Sequence, residues 1–214
     1  MRQNFTVALF DKNYNLFTKT NGLQKPVFKI PEHDTRLHEI SEECHFYIDE
    51  EMYMTLDCQG VPFRYTKVFV DNPKQFTNNK YCTFYRKSDF VEQVKKYNTL
   101  YENKPLFFMG GSEFLSVALK LSNKLLVTYV DTSVSGAFDK FPLEQAKTFF
   151  TGRRKIEPTL LKEVRKHRKE LRRKRKNQYE IAPNGMKVIK EVHSDKYTSD
   201  VLNIPDYMFY EYRR

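Results

Sequence analysis

The sequence predicts an α/β fold, a mixed but mainly parallel sheet flanked by helices. Two observations carry that prediction. Short apolar strands alternate with helical segments of roughly ten residues, the pattern of strand–helix–strand units. At "FFMGGSEFLSVAL" a strand, a paired-glycine turn and a helix follow one another directly. A length of 214 residues suits one domain carrying an added segment.

The elements follow in order. "NFTVALFD" has the mixed apolar, β-rich character of a buried strand, and Asp11, Lys12 and Asn13 supply a turn. Residues 12–30 are polar and loop-like, ending in the extended "KPVFKIP". After Pro31, "EHDTRLHEISEE" has early acidic residues and Leu37 and Ile40 at helical spacing, which predicts a short helix. "HFYID", "TKVFVD" and "KYCTFYR" predict strands. "SDFVEQVKKYNTL" predicts a helix capped by Ser88, with Phe90, Val91 and Val94 facing inward. "PLFFM" and "KLLVTYVD" flank the glycine turn and its helix. The closing "KVIKEVHSDKY" and "DYMFYEYRR" alternate in a way that suits an antiparallel hairpin at the sheet edge, and no internal repeat is present.

Composition excludes several classes. No apolar run approaches the ~20 residues of a membrane-spanning helix. The start, "MRQNFTVALFDKNYN", has neither a signal core nor transit-peptide character. Cys44, Cys58 and Cys82 are odd in number, widely spaced and without a CxxC pair. They read as reduced thiols, with no disulfide framework and no metal site, and the cytoplasm is the expected location. The Lys-, Asn- and Tyr-rich, Trp-free composition is consistent with an AT-rich genome such as a phage's, which would place the protein in a host cytoplasm.

The net charge of +10 is segregated. Arg153 to Lys176 holds 13 Lys/Arg against three Glu, and removing these from the totals of 37 and 27 leaves 24 basic and 24 acidic residues elsewhere. One segment carries the whole excess.

The ordered set "FFMGGSEFLSVAL…NKLLVTYVD…SGAFDKFP", "KIPEHDTRLHEISEECHFYIDEEMY" and "DYMFYEYRR" resembles dihydrofolate reductase. It looks like that family's strand, Gly-Gly turn, helix and Leu-x-x-Thr strand, its Pro-x-acid helix and cofactor strand, and its closing strand. The resemblance covers most of residues 3–142 and 186–214. It implies a single domain over 1–214, with 143–185 as an inserted basic helical segment. It also implies NADPH as cofactor if the family's site is retained, with Gly110, Gly111 and Ser112 contacting the pyrophosphate. Paired glycines permit backbone geometry closed to other residues, and a helix start offers unpaired N–H donors. A tight strand-to-helix turn explains the same glycines without a ligand.

The chain departs from the family pattern at both halves of the site. Where the family has glycine, basic residues and threonine after the cofactor strand, this chain has Asp49, Glu50, Glu51 and Met52. Carboxylates repel phosphate, so the segment reads as a solvated acidic helix start. Where the family has its catalytic carboxylate, "IPEHD" places His33, with Glu32 and Asp34 beside it. A one-residue slip would bring Asp34 inward, but a helix turns the side chain by ~100° per residue. Thr128 matches the threonine that supports the carboxylate. Arg64 falls nearest the substrate-carboxylate arginine, and Phe28 stands for the missing tryptophan. The catalytic candidates are therefore His33, Asp34 and Thr128.

The segment "RRKIEPTLLKEVRKHRKELRRKRK" predicts a helix with Pro158 in its first turn and a narrow stripe of Leu160, Leu161, Val164 and Leu171. Unbalanced charge at this density favours an anionic partner, nucleic acid first and an acidic protein surface second. The polyanion-binding candidates are Arg165, Lys166, Arg168, Lys169, Arg172, Arg173, Lys174, Arg175 and Lys176. Two functions compete: a binding protein with little or no reductase activity, and a divergent NADPH-dependent reductase of dihydrofolate or a related pterin or pyrimidine ring.

Overall fold

The computed structural model describes residues 3–16, 31–42, 44–56, 58, 60–61, 64–101, 104–131, 133, 139–151, 153–156, 179–181, 187–189 and 207–213. The first half comprises β1 (Asn4–Asp11), α1 (Pro31–Ile40), β2 (His45–Asp49), α2 (Glu50–Thr55), β3 (Tyr65–Val70) and β4 (Cys82–Arg86). There follow α3 (Phe90–Leu100), β5 (Leu106–Met109), α4 (Ser112–Leu121), β6 (Lys124–Val130), α5 (Leu143–Phe150), β7 (Arg153–Ile156), β8 (Tyr179–Ile181), β9 (Lys187–Ile189) and β10 (Tyr207–Arg213).

Eight strands form one sheet in the order β4-β3-β2-β5-β1-β6-β10-β7. All pairs from β4 to β6 are parallel, and β10 is antiparallel to both β6 and β7. The parallel strands are nearly continuous runs of buried residues because helices cover both faces. One face packs Phe46, Ile48, Val68, Val70 and Phe107 against α2 and Leu37 of α1. The other packs Tyr47, Phe69 and Phe108 against α3 and α4, and Ala8, Leu125 and Val127 against α4 and α5. The predicted turn after β1 forms: Asp11 Oδ1 accepts from the Asn13 and Asn15 N–H groups at 2.8 and 2.9 Å. Among the described residues no helix is long and apolar enough to cross a membrane.

Four expectations change. Ser88 does not cap α3: a 3-10 turn at Lys87–Asp89 precedes the helix, Asp89 is the residue before it, and Ser88 Oγ bonds Asp89 Oδ1. Val91 consequently lies on the solvent side, while Phe90 and Val94 are buried. Among the described residues the expected edge hairpin does not form: β9 pairs with β8 in a separate two-stranded sheet, and β10 enters the main sheet between β6 and β7.

The remaining change concerns 143–185. Its first part is built into the body, because Ala146 and Phe149 of α5 are buried and β7 registers Arg153 to Ile156 against Arg213 to Tyr210. Arg153, Arg154 and Lys155 are thus strand residues, not helix residues. The predicted helix and its candidates, Arg165 to Lys176, lie outside the described residues, as does Phe28.

Candidate functional site

β2 and β5 are neighbours, yet the chain leaves them in opposite directions, outward through α2 to β3 and inward through α4 to β6. Such a reversal opens a crevice beyond the carboxyl ends of the strands. Here it holds a cavity of about 510 Å³. Phe69, Phe90 and Phe114 form its apolar wall, with the Phe90 and Phe114 rings 4.6 Å apart. Asp49, Glu50, Glu51, Glu113 and Asp139 line the rest with Lys87, whose Nζ is held 2.9 Å from Asp71.

Asp49 is the centre of this arrangement. It ends β2, is buried, and bridges two helix starts. Its Oδ1 accepts from the Met52 N–H at 2.8 Å, capping α2, and its Oδ2 accepts from the Gly111 N–H at 2.7 Å, at the start of α4. Burial lifts its pKa from 3.8 to about 6, against the opposing pull of those two N–H groups. Asp139 approaches the next donor, its Oδ2 lying 3.4 Å from the Ser112 N–H.

The glycines are explained by space, not by backbone freedom. Gly111 sits at φ −74°, a conformation open to any residue. A Cβ on Gly110 would stand 2.7 Å from Asp49 Oδ2. One on Gly111 would stand 2.7 Å from Glu51 Oε2, 3.0 Å from Asp139 Oδ2 and 3.4 Å from Asp49 Oδ2. Three carboxylates converge on the point a side chain would occupy. Residues 49–52 do start a helix, as expected, but Asp49 and Met52 are buried rather than solvated.

The second half of the site lies beside α1. His33 is buried, and its Nδ1 is 2.7 Å from Thr128 Oγ1. Burial, with the Arg36 charge second, lowers its pKa to about 4, so the ring is neutral near pH 7. A neutral imidazole held by one nitrogen has a single remaining nitrogen to offer, in place of a carboxylate's two acceptor oxygens. Asp34 is exposed, so the one-residue slip does not occur. A cavity of about 330 Å³ adjoins His33, Asp34, Leu37 and Met109. Arg64 also lines it, but its Nε donates to the Ser41 carbonyl at 2.7 Å and its terminal nitrogen to the His38 carbonyl at 3.2 Å. It satisfies carbonyls at the end of α1.

The strand order and the helices on both faces make this a dihydrofolate-reductase-like α/β fold. Dihydrofolate reductase from Enterococcus faecalis, in a complex with NADP(H) and RAB-propyl, superposes with a TM-score of 0.61 over 99% of this chain and 96% of its own. The identity is 13%, so the likeness is one of fold. No protein-family profile and no curated protein matches the chain by sequence.

The residues at α4 do not fit a dinucleotide pyrophosphate. The Gly111 N–H that would meet phosphate is bonded to Asp49, and the surrounding oxygens are carboxylate. The sequence showed the acidic run at 49–51; it did not show that Asp49 folds onto Gly111, or that Asp139 joins it from the "FDKFP" corner. Sequence separations of 62 and 27 residues hide those contacts.

Proposed function

We propose that this chain is a binding protein on a dihydrofolate-reductase-like scaffold, with little or no reductase activity, that grips nucleic acid through residues 153–176. The observation that carries the proposal is the segregation of charge: 13 of the 37 basic residues fall in that segment, against three of the 27 acidic ones. The segment starts from a fixed place, since Arg153–Ile156 pair with β10 at the sheet edge. Loss of reductase chemistry is supported by neutral His33 in the carboxylate's place and by Asp49 on the Gly111 amide.

Binding to duplex and single-stranded oligonucleotides across a salt series tests the proposal. With about six phosphates neutralised, log K against log salt should slope near −5 on duplex DNA and near −4 on a single strand. Salt-independent binding, or none at low salt, would overturn it, and the latter result would direct the search to an acidic protein.

The cavity beside His33 and the kept Thr128 contact favour the competing reading, a divergent pterin reductase. Its test is NADPH-dependent reduction of dihydrofolate at neutral and acidic pH. No turnover is expected; a rate near the ~10 s⁻¹ typical of enzymes would establish the reductase instead.

A further inference from the structure

We infer that the cleft at α4 is an anion site closed from within, with Asp49 as the chain's own substitute for a bound phosphate. The start of a helix presents unpaired N–H donors and a positive dipole end, which together favour an anion there. α4 is a helix of ten residues, and the N–H of Gly111, the residue before it, already donates to a carboxylate. Asp49 Oδ2 makes with Gly111 the short, charge-assisted contact that a phosphate oxygen would make. Its other oxygen is held by the Met52 N–H, so α2 keeps the carboxylate aimed at α4.

The glycines then have a different duty from the one their spacing suggests. In a phosphate cradle, missing side chains let a ligand approach. Here Asp49, Glu51 and Asp139 fill that space themselves, each with an oxygen within 3.4 Å of where a Gly111 Cβ would be. An incoming phosphate would have to displace Asp49 and then sit against two further carboxylates, with Lys87 already beside Asp71. Closure is therefore specific to Asp49 and is reinforced by the charges around it. It predicts that a substitution which vacates the Gly111 amide reopens the site to phosphate.

Amide NMR on the full chain tests this at the site itself, so that polyanion binding at the basic segment is read separately. The probes are inorganic pyrophosphate and NADPH at pH 7.5. In the wild-type protein the Gly111 and Ser112 amide signals should not move saturably with either. Asp49→Ser keeps a residue able to cap α2 but is too short to reach Gly111. Combined with Glu51→Gln, it should give saturable shifts at Gly111 and Ser112, with pyrophosphate affinity at least about tenfold above wild type, a difference of ~1.4 kcal/mol.

Saturable wild-type shifts at these amides would overturn the inference. So would a folded Asp49→Ser/Glu51→Gln variant that stays silent. Should that variant not fold, Glu51→Gln/Asp139→Asn keeps Asp49 in place and should remain silent. A gain of binding there would show that diffuse charge, not Asp49, closes the site. Failure of oligonucleotide binding would sink the proposed function and leave these signals as they are.

Discussion

Two regions carry this chain's unbalanced charge, and they carry it with opposite sign. The crevice at the start of α4 gathers five carboxylates around one lysine. The segment from Arg153 to Lys176 gathers 13 basic residues around three acidic ones. In a dihydrofolate-reductase-like fold the crevice is where an anion is expected. The difference teaches that backbone and electrostatics are separable: strand order, glycine turn and helix persist while the charge that gives them a use is reversed. On the proposed reading, the basic segment and not the crevice is the host for an anion.

The largest effect that would break this contrast lies in the basic segment. Replacing Arg172, Arg173, Lys174, Arg175 and Lys176 with Gln removes five charges and keeps good helix formers. Duplex affinity at ~0.1 M salt should fall by about four orders of magnitude, and the salt slope should flatten by about 4.5 on duplex DNA and about 3.5 on a single strand. The urea unfolding midpoint should stay where it was. A variant that binds as tightly as wild type would move the contact elsewhere.

A smaller effect sharpens the crevice side. Gly111→Val would drive a branched side chain into the space held by Glu51 and Asp139, at 2.7 and 3.0 Å. Overpacking at this buried turn should cost about 3 kcal/mol of stability, read from chemical unfolding, while oligonucleotide affinity is unchanged. If the glycines served an external phosphate instead, the variant would keep its stability and lose only a ligand.

The parallel sheet was legible because strands buried on both faces read as continuous apolar runs and the intervening helices carry their own spacing. β1, β2, β5, α4 and β6 all fall where the pattern placed them. The candidate site was legible in part. His33 and Thr128 were identified through their matched positions, and the structure brings them within 2.7 Å. Gly110 and Gly111 were expected to contact a pyrophosphate or to make a tight turn, on the ground of backbone freedom; that their side-chain space is filled was not legible, since Asp49 and Asp139 arrive from distant positions. Arg64 was singled out only because it falls nearest the family's arginine position; its donors to the Ser41 and His38 carbonyls join positions 23 and 26 residues apart, which the sequence does not show. The start of α3 was missed because a single 3-10 turn shifts a helix face without leaving a sequence signal.

The smallest expected effect is the pH dependence of stability, where the two halves of the site oppose each other. His33 has its pKa lowered from 6.5 to about 4, chiefly by burial. Its contribution is present above pH 6.5 and is lost as pH falls towards 4, because the unfolded chain takes the proton first. Asp49 has its pKa raised from 3.8 to about 6, again chiefly by burial. Its contribution is present below pH 3.8 and is lost as pH rises through 6, because the folded chain takes the proton first. Each shift corresponds to about 3 kcal/mol at full expression, so between pH 4 and 6 the two nearly cancel. His45, lowered to about 4 mainly by burial, adds a loss on the acid side that its partial exposure to solvent reduces. Unfolding midpoints of the wild-type protein should therefore drop only gently from pH 6.5 to 4, by about 1 kcal/mol in stability. Asp49→Ser should steepen that fall, since nothing then offsets the histidines, and His33→Gln should flatten or reverse it. If both variants follow the wild-type curve, neither group changes its proton affinity on folding, and the buried pairings of Asp49 with Gly111 and His33 with Thr128 do not hold in solution.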